Sequence, residues 1–226
     1  ELYAEVLGEP GLARYRQLAE AEWTKVPALK PGDDESRTWH GNRYRITQIM
    51  ETLARQSGDV EALVAVKASD LSSAWHFLQI AEVYREAGRA DDALEWAERG
   101  LAAFPQRTDG RLREFLIGEY LQRGRGAEAM TLAWAQFEEG PRLESFQKLK
   151  AAVQRAGGDW PTWRDRALKH LRQDIAREFT ERNKTGYARM IAPDRSRLVE
   201  ILLSEQEIGA ARREAEAGGC RDELWL

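Results

Sequence analysis

The central part of the chain alternates runs of apolar residues at helical spacing with single breaking residues. The first run places four apolar side chains on one face of a helix, at Phe77, Ile80, Ala81 and Tyr84. Gly88 follows it, and a second apolar run then continues to Pro105, which cannot extend a helix. The pattern predicts two antiparallel helices joined by a tight turn.

This segment is repeated 36 residues further along the chain. The second copy preserves both the turn and the order of large and small residues: Tyr84 returns as Tyr120, Gly88 as Gly124, Arg89 as Arg125, Ala93 as Ala129 and Pro105 as Pro141. A unit of this length cannot bury its apolar face alone and stacks on its neighbours. The sequence therefore predicts an all-α fold, an α-solenoid of about five antiparallel helix pairs wound as a right-handed superhelix.

Outside the two central copies the pattern is weaker but still helical. Asp159-Trp160-Pro161 is a strong helix start, and the helix that follows is expected to run to about residue 172 or through 179. We expect a single repeat domain over residues 1–226, with its best repeats at 74–107 and 110–143. Because the chain begins without a methionine and stops within an apolar segment, we also expect it to be a fragment of a longer protein.

The central copies resemble the tetratricopeptide repeat, a helix–turn–helix unit with large residues, small residues and a proline at set places. The matching residues of the first copy are Phe77, Ile80, Ala81, Tyr84, Ala93 and Pro105. Ala97 and Gly100 stand where the family has an aromatic residue and an alanine, so the second helix departs from the pattern. The resemblance implies that the first helix of each pair lines a concave surface.

The order of segments also resembles the helical region that lies C-terminal to a SWIM-type zinc finger in bacterial proteins of unknown function. The segments that carry this resemblance are 11–16, 45–55, 81–88 and 197–203. The implied zinc ligands, a Cys/His set, are not within these 226 residues. No metal site and no cofactor is therefore assigned to this chain.

The charge and composition of the chain argue against two classes of partner. The net charge is -4 and the isoelectric point is near 5.6, whereas general nucleic-acid binders and membrane-surface binders carry a broad basic field. No run approaches the roughly 20 apolar residues that span a bilayer. Cys220 is the single cysteine, which is typical of a reducing compartment, so we expect a cytoplasmic protein with no membrane partner.

The sequence offers no motif for catalysis. His40, His76 and His170 are far apart and lack the spacing of metal ligands. The common phosphate-binding, dinucleotide-binding, hydrolase and metalloprotease motifs are absent from the chain. We therefore predict a protein that is not an enzyme.

The residues that the two central copies do not share are the candidates for binding. On the face implied by the tetratricopeptide resemblance, these are Trp75, Gln79, Glu82, Arg85, Arg111, Phe115 and Gln122. Exposed aromatic and Arg side chains are common anchors in interfaces, so the main hypothesis is a scaffold that binds a peptide or a partner domain in a concave groove. In the alternative interpretation, Trp75 and Phe115 pack against the preceding repeat.

Some repeats of this family bind the C-terminal carboxylate of a partner with Lys and Asn side chains. That arrangement is missing from this sequence, where the corresponding residues are Leu78, Glu82, Glu114 and Gly118.

A second, less favoured hypothesis is a nucleic-acid-associated accessory region. Arg37, Trp39, Arg43 and Arg45 interleave cations with an aromatic ring, a mixture that can follow a nucleic-acid backbone and stack bases. Residues 161–200 also hold ten Lys and Arg against six Asp and Glu. In the alternative interpretation, both segments are ordinary solvated helix faces with ion pairs.

Overall fold

The computed structural model describes residues 4–33, 42–106, 108–184 and 192–224, with side chains from residue 8 onward. Within these ranges the regular structure is helical, apart from one parallel bridge between Leu29 and Asp70. In chain order the helices are α1 (Ala4–Trp23), α2 (Arg43–Ser57), α3 (Val60–Lys67), α4 (Ala74–Glu86), α5 (Ala90–Ala103), α6 (Gly110–Gln122), α7 (Gly126–Glu139), α8 (Leu143–Arg155), α9 (Trp160–Lys184), α10 (Ser196–Ser204) and α11 (Ile208–Ala217). The short 3₁₀ turn Asp222–Leu224 follows them.

Four of the turns between paired helices share one backbone geometry. At four turns the residue in the middle has a positive φ, and the next N–H donates to the carbonyl oxygen five residues before it, which is the Schellman arrangement. The donor and acceptor residues are Arg89 and Tyr84 (2.9 Å), Arg125 and Tyr120 (2.8 Å), Gly158 and Val153 (2.8 Å), and Glu207 and Leu202 (2.9 Å). The motif joins α4 to α5, α6 to α7, α8 to α9 and α10 to α11. The predicted fold class, an all-α array of helix pairs of the α-solenoid type, is confirmed.

The chain divides into two compact units, residues 1–116 and 117–226. Unit 1 contains α1 to α5 and residues 110–116 of α6, while unit 2 contains the rest of α6 and α7 to α11. The single domain over residues 1–226 stays a prediction.

Gly100 allows α5 to approach α4 and α6 closely within unit 1. A methyl group at Gly100 would lie 2.6 Å from Phe77 Cβ and 2.9 Å from Leu112 Cδ2, well inside the roughly 3.5–4.0 Å at which carbon atoms make favourable contact. All three residues are buried. The departure from the tetratricopeptide pattern at position 100 therefore has a local cause, because Phe77 and Leu112 occupy the space that an alanine would need.

Unit 2 has its own core of aromatic and aliphatic side chains. Phe137 of α7 and Phe146 of α8 are fully buried and stack edge to face, with their centroids 6.3 Å apart. Leu171 of α9 and Ile201 of α10 complete the same cluster. The core therefore includes side chains from four successive helices of this unit.

Helix α9 extends beyond both of the ends expected from the sequence and finishes at Lys184. Leu171, Asp174 and Ile175 are buried, so the helix keeps an inner face past residue 172. The sequence pattern does not indicate this buried face, because one of its buried positions is the charged residue Asp174.

Candidate functional site

The first helices of the two central repeats meet in unit 1 through two stacks of a guanidinium on an aromatic ring. Six of the side chains proposed for binding belong to unit 1, and we call them the α4–α6 face: Trp75, Gln79, Glu82, Arg85, Arg111 and Phe115. Trp75 and Arg111 are 36 residues apart and thus occupy the same position in the two repeats. The remaining predicted residue, Gln122, is exposed at the end of α6 and belongs to unit 2.

The first stack joins Arg111 to Trp75. The guanidinium carbon of Arg111 lies 3.9 Å from the centroid of the half-buried Trp75 ring. Arg111 Nε and Nη2 each lie 3.3 Å from an Asp109 carboxylate oxygen, and the Arg111 backbone N–H donates to Asp109 at 2.8 Å. Burial opposes the charged form of Asp109, but the hydrogen bonds from Arg111 and Leu112 outweigh it and lower the pKa of this carboxyl group. Arg111 is therefore fixed by a ring on one side and a carboxylate on the other.

The second stack joins Arg85 to Phe115. The guanidinium carbon of Arg85 lies 4.7 Å from the centroid of the Phe115 ring, and Phe115 is only 8% exposed. The Arg85 side chain is 52% exposed and approaches Glu82 at 4.0 Å. Phe115 is thus covered, as in the alternative in which it packs against the preceding repeat, whereas Trp75 keeps an accessible part.

A polar cluster at the first Schellman turn includes a residue that the sequence alone does not single out, Glu61 of α3. The Tyr84 hydroxyl donates to Glu61 Oε2 at 3.0 Å, and the Arg89 guanidinium binds Glu61 and also Asp92, the latter at 2.8 Å. Arg89 additionally stacks on the Tyr84 ring at 4.6 Å. Burial and the hydrogen bond to Glu61 raise the pKa of the Tyr84 hydroxyl. This cluster ties α3 to the α4–α5 pair, so its role is structural.

The second repeat retains part of this cluster within unit 2. Arg125 stacks on the Tyr120 ring at 4.1 Å, and its Nε donates to Glu128 at 2.9 Å. An arginine follows the turn glycine in both repeats because it contacts the tyrosine that recurs in both repeats. The recurrence of this arginine therefore has a structural cause and does not indicate a binding site.

The four residues proposed for nucleic-acid binding fall into three groups. Arg43 is used by its own chain: Nη1 donates to the Pro27 carbonyl oxygen at 2.5 Å, Nη2 donates to the Ser69 carbonyl oxygen at 3.2 Å, and the side chain is 14% exposed. Arg45 is exposed. Arg37 and Trp39 lie outside the described residues.

The basic residues of the segment 161–200 largely form ion pairs within unit 2. Examples are Arg164 with Glu205 at 3.5 Å, Arg172 with Glu214 at 2.9 Å and Arg197 with Asp174 at 3.0 Å. The interpretation of this segment as a solvated helix with ion pairs therefore has direct support.

Other chemistry is sparse in the part of the chain that the structure describes. No group of three or more His, Cys, Asp or Glu side chains there could hold a metal ion, and none of the described helices is long and apolar enough to cross a membrane. Burial, together with Asp194 and Asp222, raises the pKa of the Cys220 thiol. A raised pKa keeps this thiol protonated at neutral pH and makes it a poor nucleophile.

Two open apolar grooves lie away from the α4–α6 face. One, of about 370 Å³, is bounded by residues of α1, α2 and α3. The other, of about 380 Å³, is bounded by α10, α11 and Leu224. Neither groove includes a residue of the α4–α6 face, and nothing in the structure indicates what would occupy them.

No family model matches the chain, and no curated protein is similar to it. Among solved structures, MamA MSR-1 C2 is 15% identical, with 80% of this chain and 96% of that chain covered and a TM-score of 0.37. A structure of nearly identical TPR-like repeats from Podospora anserina is 21% identical, with 79% and 94% covered and a TM-score of 0.36. At TM-scores below 0.5 neither likeness carries an argument, so the assignment of helix pairs rests on the chain's own turns and buried residues.

Proposed function

We propose that this chain is a non-catalytic protein-interaction scaffold and that the α4–α6 face binds a peptide or a partner domain. The observation that supports this proposal is the pair of guanidinium–ring stacks, Trp75 with Arg111 and Arg85 with Phe115, on helices whose equivalent positions differ between the repeats. Both arginines remain more than half exposed.

Stacked side chains of this kind suit recognition for an energetic reason. Tryptophan and arginine are enriched among the few interface residues that carry most of the binding free energy. A guanidinium that already lies on a ring loses less side-chain entropy when a partner binds. Because Phe115 is nearly buried, its role is to hold Arg85, while Trp75 and the two arginines make the contacts.

The proposal is tested by affinity capture with the full chain and with two variants, Trp75→Ala and Arg111→Ala. The amount of each partner that is captured is expected to be at least about tenfold lower with the variants than with wild type, as for interface anchors. Circular dichroism checks that each variant keeps the helical content of wild type.

Trp96→Ala and Arg99→Ala are matched controls, because Arg99 stacks on Trp96 at 3.8 Å on a different helix, α5. These controls are expected to retain the partners. If the variants on the α4–α6 face capture the same partners in the same amounts as wild type, the proposed binding face is wrong.

The nucleic-acid hypothesis is not supported by a specific observation in the described residues. Arg43 is occupied by its own chain, and the ion pairs of the segment 161–200 neutralise many of its cations. A salt-dependent shift of labelled RNA or DNA by the full chain would restore that hypothesis.

A further inference from the structure

We infer that the partner of the α4–α6 face presents an acidic side chain, Asp or Glu, to Arg85, about two to five residues along an extended peptide from an apolar side chain that contacts Trp75. This inference rests on the proposed function and adds the chemistry of the partner. The evidence is the hydrogen bonding of Arg85, its position on α4 and the residues around it.

Arg85 is held in place without being neutralised. Within the described part of the chain its guanidinium makes no hydrogen bond, and its single carboxylate contact, with Glu82, is long at 4.0 Å. The nearby stacked arginines are different, since Arg89 and Arg111 donate hydrogen bonds to Asp92 and Asp109. Arg85 therefore retains its N–H donors for a partner.

The stack on Phe115 determines how those donors are presented. The ring centroid lies 4.7 Å from the guanidinium carbon, and the Arg85 side chain is 52% exposed, so the ring holds the group while its N–H donors remain accessible. A guanidinium edge matches a carboxylate through two parallel hydrogen bonds. Such a bond pair adds both binding free energy and a defined orientation to the contact.

The position of Arg85 sets a distance to the second anchor. Trp75 and Arg85 are ten residues apart on the same helix, which corresponds to about 15 Å along its axis. Their partners on α6, Arg111 and Phe115, are four residues apart, or about 6 Å of helix rise. An extended peptide advances roughly 3.3 Å per residue, so about two to five residues separate the two anchors. This spacing makes the inference specific.

The neighbouring charges favour a single acidic side chain over a generally acidic partner. Glu82 lies on the same face, and the charge of Arg111 is already balanced by Asp109. Only one cation on this face thus lacks a close carboxylate.

Peptide selection on the immobilised full chain tests the inference, with a random 12-residue library displayed on phage as the probe. Peptides selected on wild type are expected to be enriched in Asp or Glu two to five positions from an apolar residue. Selection on Arg85→Gln is expected to lose the acidic enrichment. Arg99→Gln is the matched control, because the Arg99 guanidinium also lies over a ring and makes no hydrogen bond within the described residues.

A selected peptide and its Glu→Gln counterpart are then compared by fluorescence anisotropy. Wild type is expected to bind the acidic form about tenfold more tightly, as for a charge-assisted hydrogen-bond pair, and Arg85→Gln is expected to bind both forms equally. Trp75→Ala weakens both forms alike.

The outcomes separate this inference from the proposed function. The inference would be overturned if peptides depend on Trp75 but show no acidic preference. It would also be overturned if their acidic preference survives Arg85→Gln. Either result leaves the proposed function intact. If no selected peptide depends on Trp75, both are overturned. A loss of acidic preference in Arg99→Gln as well would show a general charge effect and would also overturn the assignment to Arg85.

Discussion

Gln206 has a backbone conformation that glycine adopts at the three equivalent turns. Its φ is 61°, beside 74°, 70° and 71° at Gly88, Gly124 and Gly157. A residue with a Cβ is strained in this left-handed region, by roughly 1–2 kcal/mol. The chain thus repeats the turn geometry even where the favoured residue is missing, which shows that the packing of α10 on α11 imposes it.

Replacing Gln206 with glycine should stabilise unit 2. The relief of strain exceeds the extra flexibility of glycine in the unfolded chain, roughly 0.5–1 kcal/mol, so we expect a gain of about 0.5–1 kcal/mol. Urea unfolding measures it. Gly124→Ala is the reverse control and should cost about 1 kcal/mol through backbone strain alone, because an added methyl group would meet nothing within 4 Å. A destabilising Gln206→Gly would contradict this account.

Tyr84 should make unit 1 lose stability at alkaline pH. Burial and the Glu61 hydrogen bond raise its pKa in the folded state, so the fold favours the neutral phenol. This contribution is complete below the ordinary tyrosine pKa of about 10 and is lost as the pH rises beyond it. Wild type should therefore lose more stability between pH 8 and pH 11 than Tyr84→Phe, as measured by urea unfolding. Equal losses in the two proteins would show that Tyr84 does not titrate with folding.

At the scale of helices, α9 is held by a buried carboxylate. Asp174 is 5% exposed and accepts hydrogen bonds from Arg177 of its own helix and from Arg197 of α10, the latter at 3.0 Å. Arg197 also donates to the Pro141 carbonyl oxygen at 3.3 Å. One charged cluster therefore fixes α9, α10 and the start of α8 relative to each other.

Asp174→Ala should destabilise unit 2 by about 2 kcal/mol, because it removes charge-assisted hydrogen bonds and leaves a partly buried arginine without its inner partner. Glu178→Ala is the control: Glu178 binds the same Arg197 at 2.7 Å but its side chain is 50% exposed. Such surface pairs contribute about 0–1 kcal/mol. Thermal or urea unfolding compares the two. Equal effects would mean that the burial of Asp174 does not matter.

For the whole molecule, the two compact units predict where a core mutation acts first. In repeat proteins each helix pair depends mainly on its neighbours. Gly100→Ala would overpack unit 1 against Phe77 and Leu112 at about 1–3 kcal/mol, more than the roughly 1 kcal/mol that alanine gains as a helix former. Phe146→Ala would open a cavity in unit 2 at about 3–5 kcal/mol.

Hydrogen exchange read by mass spectrometry distinguishes the two effects. Gly100→Ala should raise exchange first in α4 and α5, and Phe146→Ala first in α7, α8 and α9, because the Phe146 ring contacts Phe137 and Trp160. A uniform rise along the chain in both variants would indicate one cooperative unit instead. Circular dichroism confirms that both variants still fold under the conditions of measurement.

The sequence by itself determined the helix pairs, because helical periodicity and turn glycines are local signals that need no knowledge of distant contacts. It also indicated Trp75, Arg85, Arg111 and Phe115 as the residues that differ between repeats. Only the tertiary structure decided that Phe115 is covered by Arg85, that Arg111 is balanced by Asp109 on the Trp75 ring, and that Arg43 is used by its own chain. The physical reason is that burial and ion pairing depend on side chains brought together from different helices, and a periodic pattern carries no information about which partner each charge finds.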